Sequence, residues 1–419
     1  MPMSEAFRAR LFSKLETVAD HYGTPFHIYD ETGLRETGRY LIDAFSKTES
    51  FREYFAVKAL PNPRILEIMK DMGFGFDCSS IPELLLSRQI GARSEDIMFT
   101  SNNTSPAEFL VAAADGGCIL NLDDISLVPK VPEMPELICF RYNPGPRRTG
   151  NDIIGNPIES KYGVSHDQLI GAYEAAAQRG AKRFGLHTML VSNELNYEYM
   201  VQTAQMLMEQ VEKIFKSLNI TIEFINIGGG LGIPYKPEDD PLSVAAMAEV
   251  ITKELKRFKE KQGYEPKLLL ESGRYMAGPH GVLVVKAINH KDTYRKYIGV
   301  DACMSSLMRP AIYGAYHHID VLGKDATSPV SPVDVVGSLC ENNDKFAIQR
   351  LLPEIIEGDI LIIHDTGAHG HSMGFNYNGR LRPKELLLRT DGTVELIRRE
   401  ETVEDHFATL NFEPDVFKP

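Results

Sequence analysis

Along the first two thirds of the chain, short apolar runs alternate with longer stretches in which apolar residues return every three to four positions. The runs at 26–29, 53–57, 76–78, 97–100, 118–122, 137–142, 185–190, 222–227 and 267–271 read as strands, being short and bounded by turn residues. The stretches 63–70, 81–89, 165–178, 197–218 and 242–261 read as amphipathic helices. The 197–218 stretch keeps Met200, Ala204, Leu207, Val211 and Ile214 on one face, the spacing that 3.6 residues per turn demands. Strands alternating with helices predict a parallel sheet. About eight such units over roughly 240 residues predict a (β/α)8 barrel of the α/β class.

Past about residue 274 the texture changes. GVLVVKAINH, YIGVD, HHIDVL, SPVDVVG, DILIIHD, ELLLRT and TVELIRR are short, β-rich and separated by turn residues. They predict a second, mainly antiparallel β domain. The expected division is a barrel over 31–275 and a β domain over 276–419 that also takes residues 1–30, whose FHIYD run precedes the first barrel unit.

Composition narrows the function. With 419 residues and a net charge of −13, the surface disfavours nonspecific binding to nucleic acid or anionic membranes. A local basic pocket for a small anion is still allowed. The five cysteines, Cys78, Cys118, Cys139, Cys303 and Cys340, are odd in number and show no CxxC spacing. Neither a disulfide framework nor a zinc site is expected, and a reducing cytoplasm is the expected setting. The N-terminus lacks a signal-peptide pattern, and no run of about 18 apolar residues predicts a membrane span.

Several segments carry chemistry. In YFAVKALPNP, Lys58 directly follows an apolar run; at the C-terminal end of a barrel strand, a lysine amine can bond a carbonyl compound. In FINIGGGLGIPY, Gly228, Gly229 and Gly230 follow a strand, where close-approaching backbone N–H groups can hold a phosphate. In LLLESGRY, Glu271 ends a strand and Arg274 follows; such a carboxylate can pair with a protonated ring nitrogen. Each segment alone also fits a plain structural role. Later loops, LMRPAIYGAYHHI, GSLCENNDKF and HDTGAHGHSMGFNYNGRLRPKELL, hold Arg, Glu, His and Tyr beyond what a β domain needs. His317 and His318, with His364, His369 and His371, have irregular spacing, so no metal is expected.

In content and order these segments closely resemble the pyridoxal phosphate (PLP)-dependent decarboxylases of the alanine-racemase-like fold, above all the diaminopimelate decarboxylases. The likeness runs from about Gly23 to Glu400 through YFAVKAL, GFDCSSIPEL, INIGGGLGIPY, ESGRYMAGPHG, GSLCENND and HDTGAHGHSMGFNYNGRLRP. The resemblance implies that Lys58 holds PLP covalently. It implies that Gly229, Gly230, Ser192 and the segment 271–274, including Gly273, cradle the phosphate, and that Glu271 binds the pyridine nitrogen. Arg274, Arg309 and Tyr313 match residues that hold a small amino-acid substrate's distal carboxylate, and Glu341 the acid that reads its distal amine. Cys340 matches a cysteine that acts near Cα, and Tyr377 a tyrosine beside the cofactor. The resemblance further implies a homodimer with shared active sites, Cys340 and Glu341 coming from the partner subunit.

The family usually shows HxHxGS where this chain reads GLHTMLVSNELN. His187 takes the first histidine position. Met189 falls where the cofactor-stacking histidine belongs, and Val191 replaces the glycine before Ser192. Either His187 substitutes through a local shift, or the ring face is apolar. Ser272, Asn342 and His369 are smaller departures. The expected reaction is decarboxylation of meso-2,6-diaminopimelate to L-lysine. The alternative is a shifted substrate such as D-ornithine, D-lysine or a carboxylated siderophore or antibiotic precursor. A catalytically dead regulator on the same fold is disfavoured, because Lys58, the glycines, Glu271, Cys340 and Tyr377 are all kept.

Overall fold

The computed structural model describes residues 3–151, 155–325 and 327–411, which divide into two compact units. The strand β1 (Phe26–Asp30) belongs to the second. The first unit covers Glu31–His280. Its eight strands form one closed parallel barrel. They are β2 (Phe51–Ala56), β3 (Gly75–Cys78), β4 (Ser94–Phe99), β5 (Cys118–Leu122), β6 (Leu137–Arg141), β7 (Arg183–His187), β8 (Ile222–Asn226) and β9 (Lys267–Leu270). The ring shuts where β2 pairs with β9, Phe51 opposite Leu268. Tyr54, Met98, Ile119, Leu137, Cys139, Phe224 and Leu269 form one buried cluster drawn from six strands, as the packed interior of such a barrel requires. A Cβ on Gly185 would lie 2.0 Å from the Phe224 ring, so the missing side chain on β7 makes room for the aromatic on β8.

The eight predicted barrel strands are all present, with shifted ends. The 185–190 run stops at His187 and starts earlier, at Arg183. The 53–57 run starts at Phe51 and ends at Ala56, because Val57–Ala59 tightens into a 3-10 turn.

The second unit takes Met3–Asp30 and the chain from Gly281 onward. Its strands are β10 (Gly281–Asp292), β11 (Lys296–Val300), β12 (Ile319–Val321), β13 (Val330–Val336), β14 (Lys345–Pro353), β15 (Ile360–Ile363), β16 (Lys384–Leu388) and β17 (Val394–Arg398). The sheet runs β14-β13-β11-β10-β1-β16-β17, with β15 pairing both β10 and β12. Pairing is antiparallel except for β1 with β16 and β11 with β13.

Side chains alternate between the faces of a strand, and β10 accordingly feeds two cores. Leu283, Val285 and Ala287 enter one cluster, while Val282 and Val284 enter the other. The second cluster is completed by Phe7, Leu11, Leu15, Val18 and Ala19, from the helices Glu5–Phe12 and Leu15–Tyr22. The sheet is thus covered on both faces, which explains the unbroken apolar runs at its centre. Among the described residues, no helix is long and apolar enough to cross a membrane.

Candidate active site

The C-terminal ends of the barrel strands bring the first set of polar groups together. β2 runs out into the 3-10 turn Val57–Ala59, in which Val57 and Ala59 are buried and Lys58 is exposed. Asn62 then caps the helix Pro63–Asp71 by accepting the Arg64 N–H at 3.1 Å. A Cβ on Gly273 would lie 2.6 Å from the Ala59 Cβ and 3.2 Å from the Ala56 Cβ. Only a glycine lets the turn after β9 press so closely on the turn that carries Lys58. Glu53 fastens that turn further, its buried carboxylate accepting the Ser272 N–H.

Glu271 stands at the centre, buried at 7% exposure. His187 Nε2 donates to Oε2 at 3.0 Å, and Asn226 Nδ2 donates to Oε1 at 2.7 Å. Asn226 also accepts the Gly228 N–H at 2.9 Å, tying the carboxylate to the glycine loop. Burial pushes the Glu271 carboxyl up, but His187, Lys58 and Asn226 outweigh it and hold the group below the usual carboxylate range. Asp77, at the end of β3, goes the other way. Burial and the charge of Glu271, opposed by Lys58, push it up to about 8. Two neighbouring carboxylates are thus set apart, one ionised and one inclined to keep its proton.

The glycine loop follows β8. Cβ atoms on Gly228, Gly229, Gly230 and Gly232 would come within 2.4 Å of Thr188 O, 2.3 Å of Glu271 O, 2.5 Å of Val191 O and 2.7 Å of Glu194 O. Glycine is required there because the loop lies against the backbone leaving β7 and β9. Among the described residues, the N–H groups of Gly229 and Gly230 donate to no protein acceptor, which leaves them for an anion. Arg274 Nη2 lies 3.5 Å from Ser192 Oγ, and Nη1 donates to the Tyr235 hydroxyl. Buried polar atoms also stand without protein partners among the described residues, His187 Nδ1 and Asp77 Oδ1. A lysine amine, an ionised buried carboxylate, a glycine cradle and an arginine fit PLP, a carbonyl-bearing pyridine with a phosphate.

His187 is committed to Glu271, two residues before the expected cofactor-facing position. Met189 lies along the glycine loop instead, its sulfur 3.0 Å from where a Gly228 Cβ would stand. Arg141, at the end of β6, donates to Met189 O at 3.2 Å and pairs with Asp123 at 3.6 Å.

The remaining expected residues lie in the second unit. Arg309 and Tyr313 bound the short helix Arg309–Tyr313; Arg309 is buried and Tyr313 half exposed. Cys340 is exposed and Glu341 partly so. Their loop is fixed by Asp344, which accepts the Met304 N–H at 2.6 Å and the Leu339 N–H at 2.8 Å. Cys340 N–H donates to Asn378 Oδ1 at 2.7 Å, placing this loop beside that of the exposed Tyr377.

Sequence reasoning singled out neither Asp77, Arg141 and Asn226 nor Glu53 and Tyr235. Four of these five are polar residues in or at the ends of barrel strands, in otherwise apolar runs, and that contrast was the available signal.

Comparison with known proteins agrees with this geometry. The family model for the pyridoxal-dependent decarboxylases, pyridoxal binding domain, matches residues 37–278. A protein named TabA, from Pseudomonas amygdali pv. tabaci, is 47% identical over 100% of this chain and 99% of its own. The diaminopimelate decarboxylase of Methanothermobacter thermautotrophicus is 38% identical over 93% of this chain and 92% of its own. The diaminopimelate decarboxylase of M. jannaschii, solved with L-lysine, is 30% identical with a TM-score of 0.88, covering 95% of this chain and 94% of that one. PLP supplies an electron sink for the bonding pair left when carbon dioxide departs. With this barrel, this polar cluster and these relatives, the chain belongs to the PLP-dependent decarboxylases of the alanine-racemase-like fold and is a carboxy-lyase that uses PLP.

Proposed function

We propose that the chain decarboxylates meso-2,6-diaminopimelate to L-lysine and carbon dioxide. The observation that carries this reading is Arg309, buried at 4% exposure in the same unit as Cys340 and Tyr377. A buried arginine suits a planar second carboxylate, which D-lysine and D-ornithine lack. Relatives named diaminopimelate decarboxylase, 38% and 33% identical over nearly the whole chain, support it.

In this reading Lys58 holds the cofactor, while Gly229, Gly230, Gly273, Ser192 and Arg274 hold its phosphate. Glu271, oriented by His187 and Asn226, keeps the ring nitrogen protonated. Arg309 and Tyr313 take the distal carboxylate, Glu341 the distal amine, and the Cys340 thiol gives its proton to Cα. Tyr377 lies beside the cofactor. The active unit is a homodimer, Cys340 and Glu341 serving the partner's site.

A second reading, a shifted substrate such as D-ornithine or D-lysine, is favoured by one observation, Met189 against the glycine loop. Carbon dioxide release from the three compounds, assayed side by side, separates the two. On the first reading Arg309→Ala lowers kcat/KM for meso-diaminopimelate by roughly 10² or more, since breaking a buried charge pair costs about 2–5 kcal/mol. Turnover of D-ornithine with none of meso-diaminopimelate by the unaltered protein refutes it.

A further inference from the structure

The β16–β17 hairpin runs on past its strands. Glu385 on β16 pairs with Arg398 on β17. Three residues back from the one and three on from the other, Arg382 O accepts the Glu401 N–H at 3.1 Å. The Glu401 side chain then takes the next place in the ladder. Its Oε2 accepts the Arg382 N–H at 2.9 Å and the Asn376 Nδ2 amide at 2.6 Å. One carboxylate oxygen thus joins the two ends of the loop 376–382. Asn376 also donates from Nδ2 to Arg380 O at 3.1 Å, so the loop is closed from within as well. The Glu401 backbone is fixed on its far side, because Thr402 caps the helix Val403–Phe407 in a capping box with Asp405.

The closed loop presents Tyr377 and Asn378, both exposed. Asn378 takes φ +53°, a left-handed conformation that asparagine tolerates better than most residues with a side chain. Its Oδ1 accepts the Cys340 N–H at 2.7 Å, and Arg380 Nη2 donates to Ser338 O at 3.3 Å. The Cys340 loop therefore leans on the Tyr377 loop at two points. Asp344 holds the base of the Cys340 loop only as far as the Leu339 N–H; the next N–H, that of Cys340, goes to Asn378. We propose that Glu401 is a positioning residue: by closing the loop 376–382 it sets, through Asn378, where the Cys340 thiol delivers its proton. This rests on the role given to Cys340 above. In that transfer the S–H bond breaks as the electron pair left by carbon dioxide forms the new C–H bond, and the thiolate takes a proton back from water.

The test runs the PLP-loaded enzyme in D2O, where the thiol carries deuterium, on meso-diaminopimelate, or on D-ornithine should only that be turned over. The product then holds one deuterium at the former Cα, and its configuration, read by NMR of a chiral derivative, reports the face of delivery. The unaltered enzyme gives a single configuration. Glu401→Ala opens the loop, so kcat falls about tenfold, the worth of hydrogen bonds to a charged group. Deuterium from water then competes with the displaced thiol, and both configurations appear. Bound PLP is unchanged, because Lys58 and the glycine loop are untouched. Glu401→Gln still offers an oxygen that accepts two hydrogen bonds, which returns kcat to within about threefold and restores the single configuration. Asn378→Gly keeps the left-handed backbone, removes only the acceptor for Cys340, and again gives both configurations. The proposal is overturned if Glu401→Ala keeps a single configuration, or if Glu401→Gln is as impaired as Glu401→Ala. Should Glu401→Ala fail to fold, Asn378→Gly decides: mixed configuration supports the proposal, and a single one overturns it. If Cys340→Ala itself keeps kcat and a single configuration, the role of Cys340 fails and takes this proposal with it.

Discussion

Replacing Glu271 by glutamine keeps shape and removes charge. In the native site Oε1 accepts from Asn226 at 2.7 Å and Oε2 from His187 at 3.0 Å. The amide can still accept from Asn226, but its NH2 then faces His187 Nε2. The conflict resolves if His187 moves its proton to Nδ1, which has no protein partner to lose among the described residues. Stability should therefore fall by only about 1 kcal/mol, the net worth of one hydrogen bond. Catalysis should fall further. A bond from a protonated ring nitrogen to a carboxylate is worth about 1.5–3 kcal/mol, against about 1 for a neutral pair. The difference, about 0.5–2 kcal/mol, corresponds to a loss in kcat of roughly two- to thirtyfold, to which a neutral partner adds by favouring loss of the ring proton. The assay is carbon dioxide release at saturating substrate, with bound PLP quantified by visible absorbance and stability by thermal unfolding. Glu271→Gln with native PLP content and a kcat within twofold of the unaltered enzyme would refute the assignment. A collapse of stability would show that the carboxylate serves the fold instead.

Borohydride reduction of the enzyme, followed by peptide mapping, should place the cofactor label on Lys58, and a label on another lysine defeats that assignment. Mixing Lys58→Ala with Cys340→Ala chains should recover part of the activity if the proposed shared-site homodimer holds, because one site of each hybrid would have both residues; no recovery, once subunit exchange is confirmed, argues against a shared site. In the second unit, burial, opposed by Glu385 and the Ser306 carbonyl, lowers the His27 imidazole from 6.5 to about 4. Its folded pKa is depressed, so the stability it contributes is present above pH 6.5 and lost as pH falls toward 4, up to about 3 kcal/mol. Thermal midpoints should fall across that window, less steeply in His27→Gln; an equal slope in both proteins would exclude His27 as the cause.

Much of the fold was legible in the residue pattern, and what was missed has local causes. The barrel strands are buried apolar runs, and helical packing hardly disturbs their signal. Val57 looked like strand because it is apolar and buried, yet the chain turns there to present Lys58. β14 escaped notice because its burial does not alternate and Gln349 interrupts it with φ +47°. The site was read through its motifs, and Asp77 and Asn226 belong to those motifs without being their conspicuous letters. His317 was visible only as half of a histidine pair. Adjacent residues face different partners, and the structure sends His317 to Arg309 and His318 toward Asp320 at 3.5 Å.

β1 sits mid-sheet between β10 and β16, with Phe26 opposite both Val284 and Lys384. During synthesis this strand is made first and its neighbours only after the whole barrel. At roughly 5–20 residues per second, about 250 residues of barrel must emerge in between. For about 10–50 seconds an apolar strand and two short helices wait with nothing to pair against. In the barrel each strand is followed directly by a neighbour, and only the closing pair of β2 with β9 waits for the ring to be finished. The second unit is thus the slow and aggregation-exposed part of biogenesis, and a chain lacking its first 30 residues would lose the middle of a sheet, whereas trimming an edge strand would not.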